Sequence, residues 1–246
     1  MEWTGRQRSE NSNGHAGPPF TTTLCVQDLR PALCERFQRT VVRLFDYPLS
    51  GNGYKVRLLL AHLNIEYEYV PLDILKGETR TPSFLKRNPN GRIPVLQLDD
   101  GTHLAESNAI LFYLARNTPC WPTATLEQAQ VLQWLFFEQY SHEPNIATAR
   151  FWVSIKKIES TPFNAELLSQ KQVHGRAALE VMERHLQNRP FFVGGRYTIA
   201  DIGLYAYTHV ASEGGFDMSP YGAVGKWLGR VRAQPGHVTM DQWKDA

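Results

Sequence analysis

Residues 50–53 read Ser-Gly-Asn-Gly, between a short apolar run that ends at Tyr47-Pro48 and a run with Val56, Leu59, Leu60 and Leu63 at i, i+3, i+4, i+7. A small-residue turn feeding a helix leaves the first helical N–H groups without intrahelical partners and points the positive end of the helix dipole outward. An anion is the natural occupant of such a place. Here the turn also offers the Ser50 hydroxyl and the Asn52 amide, each able to donate to a negative atom. By composition alone the same four residues also read as a plain turn. Two further groups could serve a charged small molecule. Arg92 precedes Ile93-Pro94 at the entry to an apolar run, and Glu106-Ser107 opens a helix-like segment with Ile110, Leu111 and Leu114 on one side. Taken singly, these are a solvated arginine, an edge-strand proline and an ordinary helix cap.

The chain that must position these groups has 246 residues and 42% hydrophobic content, enough for two small domains with real cores. Lys and Arg number 26 against 24 Asp and Glu, with no long run of like charge. Nothing in that balance points to a nucleic-acid or membrane surface, and the expected partners are small molecules or a second copy of the chain. Cys25, Cys34 and Cys120 are too few and too scattered for a disulfide framework, and no Cys/His spacing suits zinc, so a reducing cytoplasm and no metal are expected. No stretch approaches the ~20 apolar residues of a membrane span. Residues 1–40 read as a mostly disordered extension with a weak amphipathic piece at 24–37. Its Glu2, Glu10, Asp28 and Glu35 disfavour a transit peptide, and it lacks the apolar core of a signal peptide.

From residue 41 the pattern predicts a strand at 41–45, a loop through Gly53, a helix at 54–63 and a strand at 67–72, a βαβ unit with parallel strands. A polar loop, a short helix opened by Thr81-Pro82, a hairpin turning at Asp99-Asp100-Gly101, and a helix at 106–116 follow. The order βαβ-α-ββα, with a proline entering the third strand, is that of the thioredoxin fold, but the CxxC of a dithiol enzyme is replaced by Ser-Gly-Asn-Gly. Redox chemistry by a protein dithiol is thereby excluded. The fold expected is an α/β thioredoxin-like N-terminal domain at 41–117, a proline-bounded linker at 118–124 and an all-α C-terminal domain at 125–246. Within the latter, Thr125 to Gln128 reads as a capping box, with Val131, Leu132, Leu135 and Phe136 facing inward and Pro144 interrupting before a second helix that runs through Phe151-Trp152. A long helix is expected at 164–188, a capping box between Thr198 and Asp201, and a last helix at 222–233.

In this order and spacing the Ser50 turn before KVRLLL, the segment from Asn88-Pro89 to Ile93-Pro94, Glu106-Ser107-Asn108 and FVGGRYTIADIGLYAY resemble a cytosolic glutathione S-transferase of the bacterial serine type (theta/delta/tau-like). The resemblance covers about five-sixths of the chain. It implies a cytoplasmic detoxifying enzyme, a homodimer, that binds glutathione as co-substrate and activates its thiol for attack on a small hydrophobic electrophile. A cis bond at Pro94 would present the Ile93 backbone to the cysteinyl unit. Glu106 would take the γ-glutamyl ammonium, Ser107 the adjoining carboxylate and Arg92 the glycyl carboxylate. Tyr140, Phe151 and Trp152 would wall the electrophile pocket between the domains, with His142 near its rim. No cysteine lies by the Ser50 turn, which disfavours the cysteine classes and dehydroascorbate reductases, and the Ser-Ser-Cys loop of maleylacetoacetate isomerases is missing.

Ser50 matches the catalytic serine of the serine classes, with Asn52, and then Tyr47, as alternative donors. A thiol of pKa near 8.5 is only ~3% ionised at pH 7, and lowering it about two units calls for ~2.7 kcal/mol of preferential thiolate stabilisation. One hydrogen bond to a charged atom contributes ~1.5–3 kcal/mol and a helix start ~0.3–1, so a single donor plus the dipole suffices. Serine acts here as a donor and needs no histidine partner. Two other readings stay open: a glutathione-dependent disulfide reductase or peroxidase without a protein cysteine, which Asn52 as main donor would favour, and a non-catalytic interaction protein of the same fold.

Overall fold

The computed structural model describes residues 42–242. The expected extension, Cys25, Cys34 and Val41 lie outside the described residues. β1 (Val42–Asp46) pairs in parallel with β2 (Tyr67–Pro71) and antiparallel with β3 (Val95–Gln97), which pairs antiparallel with β4 (His103–Ala105), giving the order β2-β1-β3-β4. Leu44 stands opposite Leu96, and both are fully buried. The crossover between β1 and β2 is α1 (Gly51–Leu63). Two 3₁₀ turns, Ile74–Lys76 and Glu78–Arg80, occupy the expected polar loop, and α2 (Pro82–Leu85) is capped by Thr81. The Ile93–Pro94 bond is cis, and α3 (Ser107–Ala115) closes this half.

The expected loop through Gly53 is instead the cap and first turn of α1. Ser50 is the N-cap, its Oγ accepting the Gly53 N–H at 3.2 Å. The glycines serve close approach on two sides of the helix. A Cβ on Gly53 would lie 1.7 Å from Asp46 Oδ1, and one on Gly51 would lie 2.5 Å from Tyr207 Cε1. Every residue from Gly53 to Leu60 is buried, Lys55 and Arg57 included. A helix covered on all sides draws even its charges inside.

In the helical half, α4 (Thr125–Phe137), a π turn (Glu138–His142), α5 (Glu143–Arg150) and a second π turn (Phe151–Ile155) form one continuous run. Pro144 therefore does not interrupt it. Pro144 falls in the first turn of α5, where a missing N–H is tolerated, just after a π turn in which the Glu143 N–H bonds to the Glu138 carbonyl. Thr125 is no cap either: the helix is entered from Ala124 without a side-chain bond, and Glu127 pairs with Arg196. The buried stripe is Val131, Trp134, Leu135 and Glu138. Leu132 and Phe136, one residue further round the helix, are exposed.

α6 (Pro162–Leu186) begins two residues earlier than expected, because Thr161 accepts the Asn164 N–H. α7 (Ile199–Thr208) is buried along its whole length and packs on α1, α3 and α4, and α8 (Gly222–Arg232) is the last helix among the described residues. The box expected at the start of α7 is formed. Asp201 accepts from Thr198 N, Thr198 Oγ1, Phe192 N and Trp227 Nε1 at 2.9–3.1 Å. Asp201→Ala would leave several buried donors without an acceptor, each costing ~1–3 kcal/mol. The expected outcome is a loss of at least about 3 kcal/mol in chemical denaturation, against ~1 for Thr198→Ala.

Candidate functional site

The site begins at the first turn of α1. Of the helix-start amides, Tyr54 N bonds to Ser50 O, Gly53 N to Ser50 Oγ and Asn52 N to the Tyr207 hydroxyl at 3.2 Å. The positive end of α1 is thus closed partly by its own cap and partly by a tyrosine from α7.

Asn52 is fixed by three partners. Its Oδ1 accepts from Lys55 Nζ at 2.7 Å and from Ser107 Oγ at 3.2 Å, and its Nδ2 donates to Glu143 Oε1 at 3.1 Å. An ammonium at one end and a carboxylate at the other decide which way the amide faces. Nδ2 carries a second N–H beyond the one given to Glu143, and that hydrogen is free to donate. Lys55, one turn into α1, is fully buried and spends all three donors, on Asn52, on Ser107 Oγ at 3.3 Å and on Glu138 Oε1 at 2.8 Å. Glu138, equally buried, accepts at its other oxygen from Asn108 Nδ2 and Gln139 Nε2. This ion pair joins the two halves of the chain. The π turn brings Glu138 and the Glu143 that follows it to bear on the other half together, and such turns collect at functional sites.

Of the residues expected here, Ser50, Asn52 and Ser107 are brought together, Ser107 at the start of α3. The Ser107 hydroxyl proton is committed to Asn52, so its backbone amide is the donor left to it. Glu106 is exposed and holds a left-handed backbone (φ 67°), an arrangement that costs on the order of 1–3 kcal/mol in a non-glycine residue and gathers at binding sites. Arg92 is exposed, with its charge felt at Glu143, and Ile93 is half-buried beside the buried Pro94. Tyr140 stands 86% exposed on the outer side of its π turn, while Phe151 and Trp152 are half-buried in the second π turn. His142 is not at a rim. It is fully buried, and its Nε2 lies 2.9 Å from Thr208 Oγ1. Thr208 gives its own proton to Leu204 O, so His142 Nε2 carries the hydrogen and the unpartnered Nδ1 is bare.

Lys55, Glu138, Glu143 and Tyr207 were missed from sequence. For Lys55 a signal existed: a lysine inside YKVRLLL, with apolar residues all round the helix, has to be buried and therefore paired. Burial raises the Glu143 carboxyl above its ordinary range, opposed by Lys55. Cys120, the cysteine among the described residues, is buried and its thiol is pushed up to about 12 by burial, which leaves it unreactive. Among the described residues no cluster of His, Cys, Asp or Glu is placed to hold a metal ion, and no helix is long and apolar enough to cross a membrane.

Residues 40–116 match the family described as glutathione S-transferase, N-terminal domain, and residues 143–235 match its C-terminal domain. The chain belongs to the glutathione S-transferase family. A glutathione S-transferase from Pseudomonas fluorescens Pf-5 is 48% identical, with a TM-score of 0.79 over 81% of this chain and 98% of its own. The Escherichia coli disulfide-bond oxidoreductase YfcG is 31% identical over 193 residues, 76% of this chain and 88% of its own length. The glutathione transferase URE2P8 of Phanerochaete chrysosporium, solved with oxidised glutathione, is 28% identical with a TM-score of 0.72 over 80% and 91%. Within this family the described sheet and its helices are the thioredoxin-like domain, and the helical run from α4 to α8 is the C-terminal domain.

Two outcomes follow from the burial of these charges. Lys55→Met leaves Glu138 buried and unpaired and should cost ~3–5 kcal/mol, whereas the double variant Lys55→Met/Glu138→Leu should recover much of that in the same denaturation series. Burial, with Lys55 adding and Glu138 opposing, lowers His142 from 6.5 to about 4. The unfolded chain therefore takes up a proton between those values that the folded chain refuses, and stability present above pH 6.5 is lost as the pH falls towards 4. The loss is on the order of 3 kcal/mol at most. His142→Gln should show a shallower decline over that window, and equal slopes would remove the assignment.

Proposed function

We propose that this chain is a glutathione transferase of the serine type. It would stabilise the thiolate of bound glutathione with Ser50 and Asn52 over the start of α1, and turn that thiolate on a small hydrophobic electrophile. The observation that carries the reading is the convergence of the Ser50 hydroxyl and the Asn52 amide on the start of α1, the amide held in one orientation by Lys55 and Glu143. Arg92, Ile93, Pro94, Glu106 and Ser107 would form the glutathione subsites, a role that the strained Glu106 backbone supports. Phe151 and Trp152 remain candidates for the electrophile side, with Tyr140 at its outer edge. A cytoplasmic homodimer is part of the same reading, the exposed Leu132, Phe136 and Tyr140 on one helical run being suited to a second copy. A monomeric mass in solution would remove the dimer.

One observation favours a second reading, reduction of small disulfides by two glutathione thiols. The wiring of Asn52 makes the amide at least as well placed a donor as Ser50, and relatives with disulfide-bond oxidoreductase and oxidised glutathione in their descriptions support it.

The test is a pH titration of the ultraviolet absorbance of glutathione bound to wild type, Ser50→Ala and Asn52→Ala. Each lost donor should raise the bound thiol pKa by about one to two units, the equivalent of ~1.5–3 kcal/mol. An unshifted thiol in the wild type would defeat the reading. Parallel assays with an aryl halide and a small symmetric disulfide separate the two activities, and loss of disulfide turnover in Asn52→Ala alone would decide for the second.

A further inference from the structure

Glu143, half-buried at the start of α5, uses only part of its carboxylate on Asn52. Oε1 accepts one hydrogen of the amide nitrogen at 3.1 Å, while Oε2 has no hydrogen-bond partner among the described residues and keeps contact with solvent. The charged groups acting on this carboxylate are the Lys55 ammonium on α1, Glu138 at the head of the π turn and Arg92 in the loop before β3, with the Tyr207 phenol of α7 beside them. Lys55 is already spent on Glu138, Asn52 and Ser107, and Arg92 stands in solvent. Among the described residues no cation is paired with Glu143.

The two hydrogens of an amide nitrogen point about 120° apart, so a thiolate on the free hydrogen of Asn52 would lie about 5–6 Å from Glu143 Oε1, room for one bridging water. Two negative charges on one amide nitrogen do not both persist near neutral pH, and one of them takes a proton. An arriving thiol brings that proton with it. We propose that Glu143 is the proton acceptor of the site: it takes the hydrogen of the glutathione thiol through one water and holds it on Oε2 while the sulfur is an anion. This role rests on the reading of Asn52 as a donor to that thiolate. In the step the S–H bond breaks and its electron pair stays on sulfur, while the water hands one hydrogen to Oε2 and takes the one from sulfur. Nothing is oxidised or reduced, and the net charge around Asn52 is unchanged, because one negative charge has moved from carboxylate to sulfur. Oε1 stays on the Asn52 hydrogen throughout, so the amide keeps its orientation. Burial raises the carboxyl above its ordinary range, which suits a base working near neutral pH.

The test counts protons. Glutathione is bound near neutral pH in two buffers of different ionisation enthalpy, so that calorimetry gives the protons released per site, and the ultraviolet absorbance of the thiolate is followed alongside. Wild type should form the thiolate yet release less than about a third of a proton, whereas Glu143→Gln, which keeps an acceptor for Asn52, should release about one for each thiolate formed. A wild type that forms the thiolate and releases as many protons as the variant overturns the role. A wild type in which no thiolate absorbance appears defeats the thiol-activation reading and this role with it, and the absorbance tells the two failures apart. Should Glu143→Gln not fold, the infrared difference spectrum of the wild type decides. The band of a neutral carboxyl should appear when glutathione binds and not when S-methylglutathione does. No band, or the same band with both compounds, would sink the proposal.

Discussion

The buried pair of Lys55 and Glu138 is the constraint on which the site depends. Neither charge reaches water, so each must be surrounded by partners, and the partners are the residues of interest: Asn52 and Ser107 on the ammonium, Asn108 and Gln139 on the carboxylate. An apolar pair of similar volume would hold two helices together as well or better. What it would not do is orient an amide. The ammonium one turn after Asn52 claims Oδ1, Glu143 claims one hydrogen of Nδ2, and the remaining hydrogen has a single direction left to it.

The same helix is held with little slack elsewhere. Asp46 lies beneath Gly53 and pairs with Arg57 at 3.3 Å, and that guanidinium also donates to the Pro48 and Met240 carbonyls. Arg150, from α5, donates to the Leu49 carbonyl at 2.6 Å. The turn that delivers Ser50 is therefore gripped by two buried guanidinium groups, one from its own half and one from the other. Gly51 and Gly53 let α7 and β1 approach α1 from opposite sides, where any side chain would clash. Placement of the Ser50 hydroxyl is thus a property of both halves together.

Much of the fold was legible in the sequence, because periodicity and turn chemistry report on backbone states directly. The βαβ unit, the hairpin and the box between Thr198 and Asp201 all follow from residues close to one another in the chain, whereas the cis bond at Pro94 was expected from the family resemblance alone. The errors came where a local rule met a distant partner. Gly51 and Gly53 read as turn glycines, but each answers to a side chain far along the chain or across the sheet. Leu132 and Phe136 share the apolar character of Val131 and Leu135, and only the packing of α7 decides which stripe is covered. His142 looked like a surface group because Thr208, which receives its hydrogen, is 66 positions away. Ser50, Asn52 and Ser107 were visible as candidate site residues, being polar groups at helix starts. The residues that orient them were hidden for the same long-range reason, except for Lys55, whose burial the unbroken apolar run around it implies.

The charges of the site indicate how an anion could be held there at all. Lys55 is matched by Glu138, so the pair offers no net positive charge, and Glu143 adds a carboxylate beside Asn52. Arg92, exposed to solvent, is too well screened to reverse that balance. A thiolate at the start of α1 would have to be stabilised by oriented neutral donors rather than by a counter-ion. That demand is modest: ~2.7 kcal/mol for a shift of about two units, against ~1.5–3 kcal/mol for each hydrogen bond to a charged atom and ~0.3–1 for the helix start. Burial also favours the neutral form of Glu143, which lessens its repulsion of a neighbouring anion. Neutral donors work only while they point the right way. The buried ion pair, the amide clamp and the grip on the Ser50 turn all act on orientation, and orientation is what a site without net positive charge needs most.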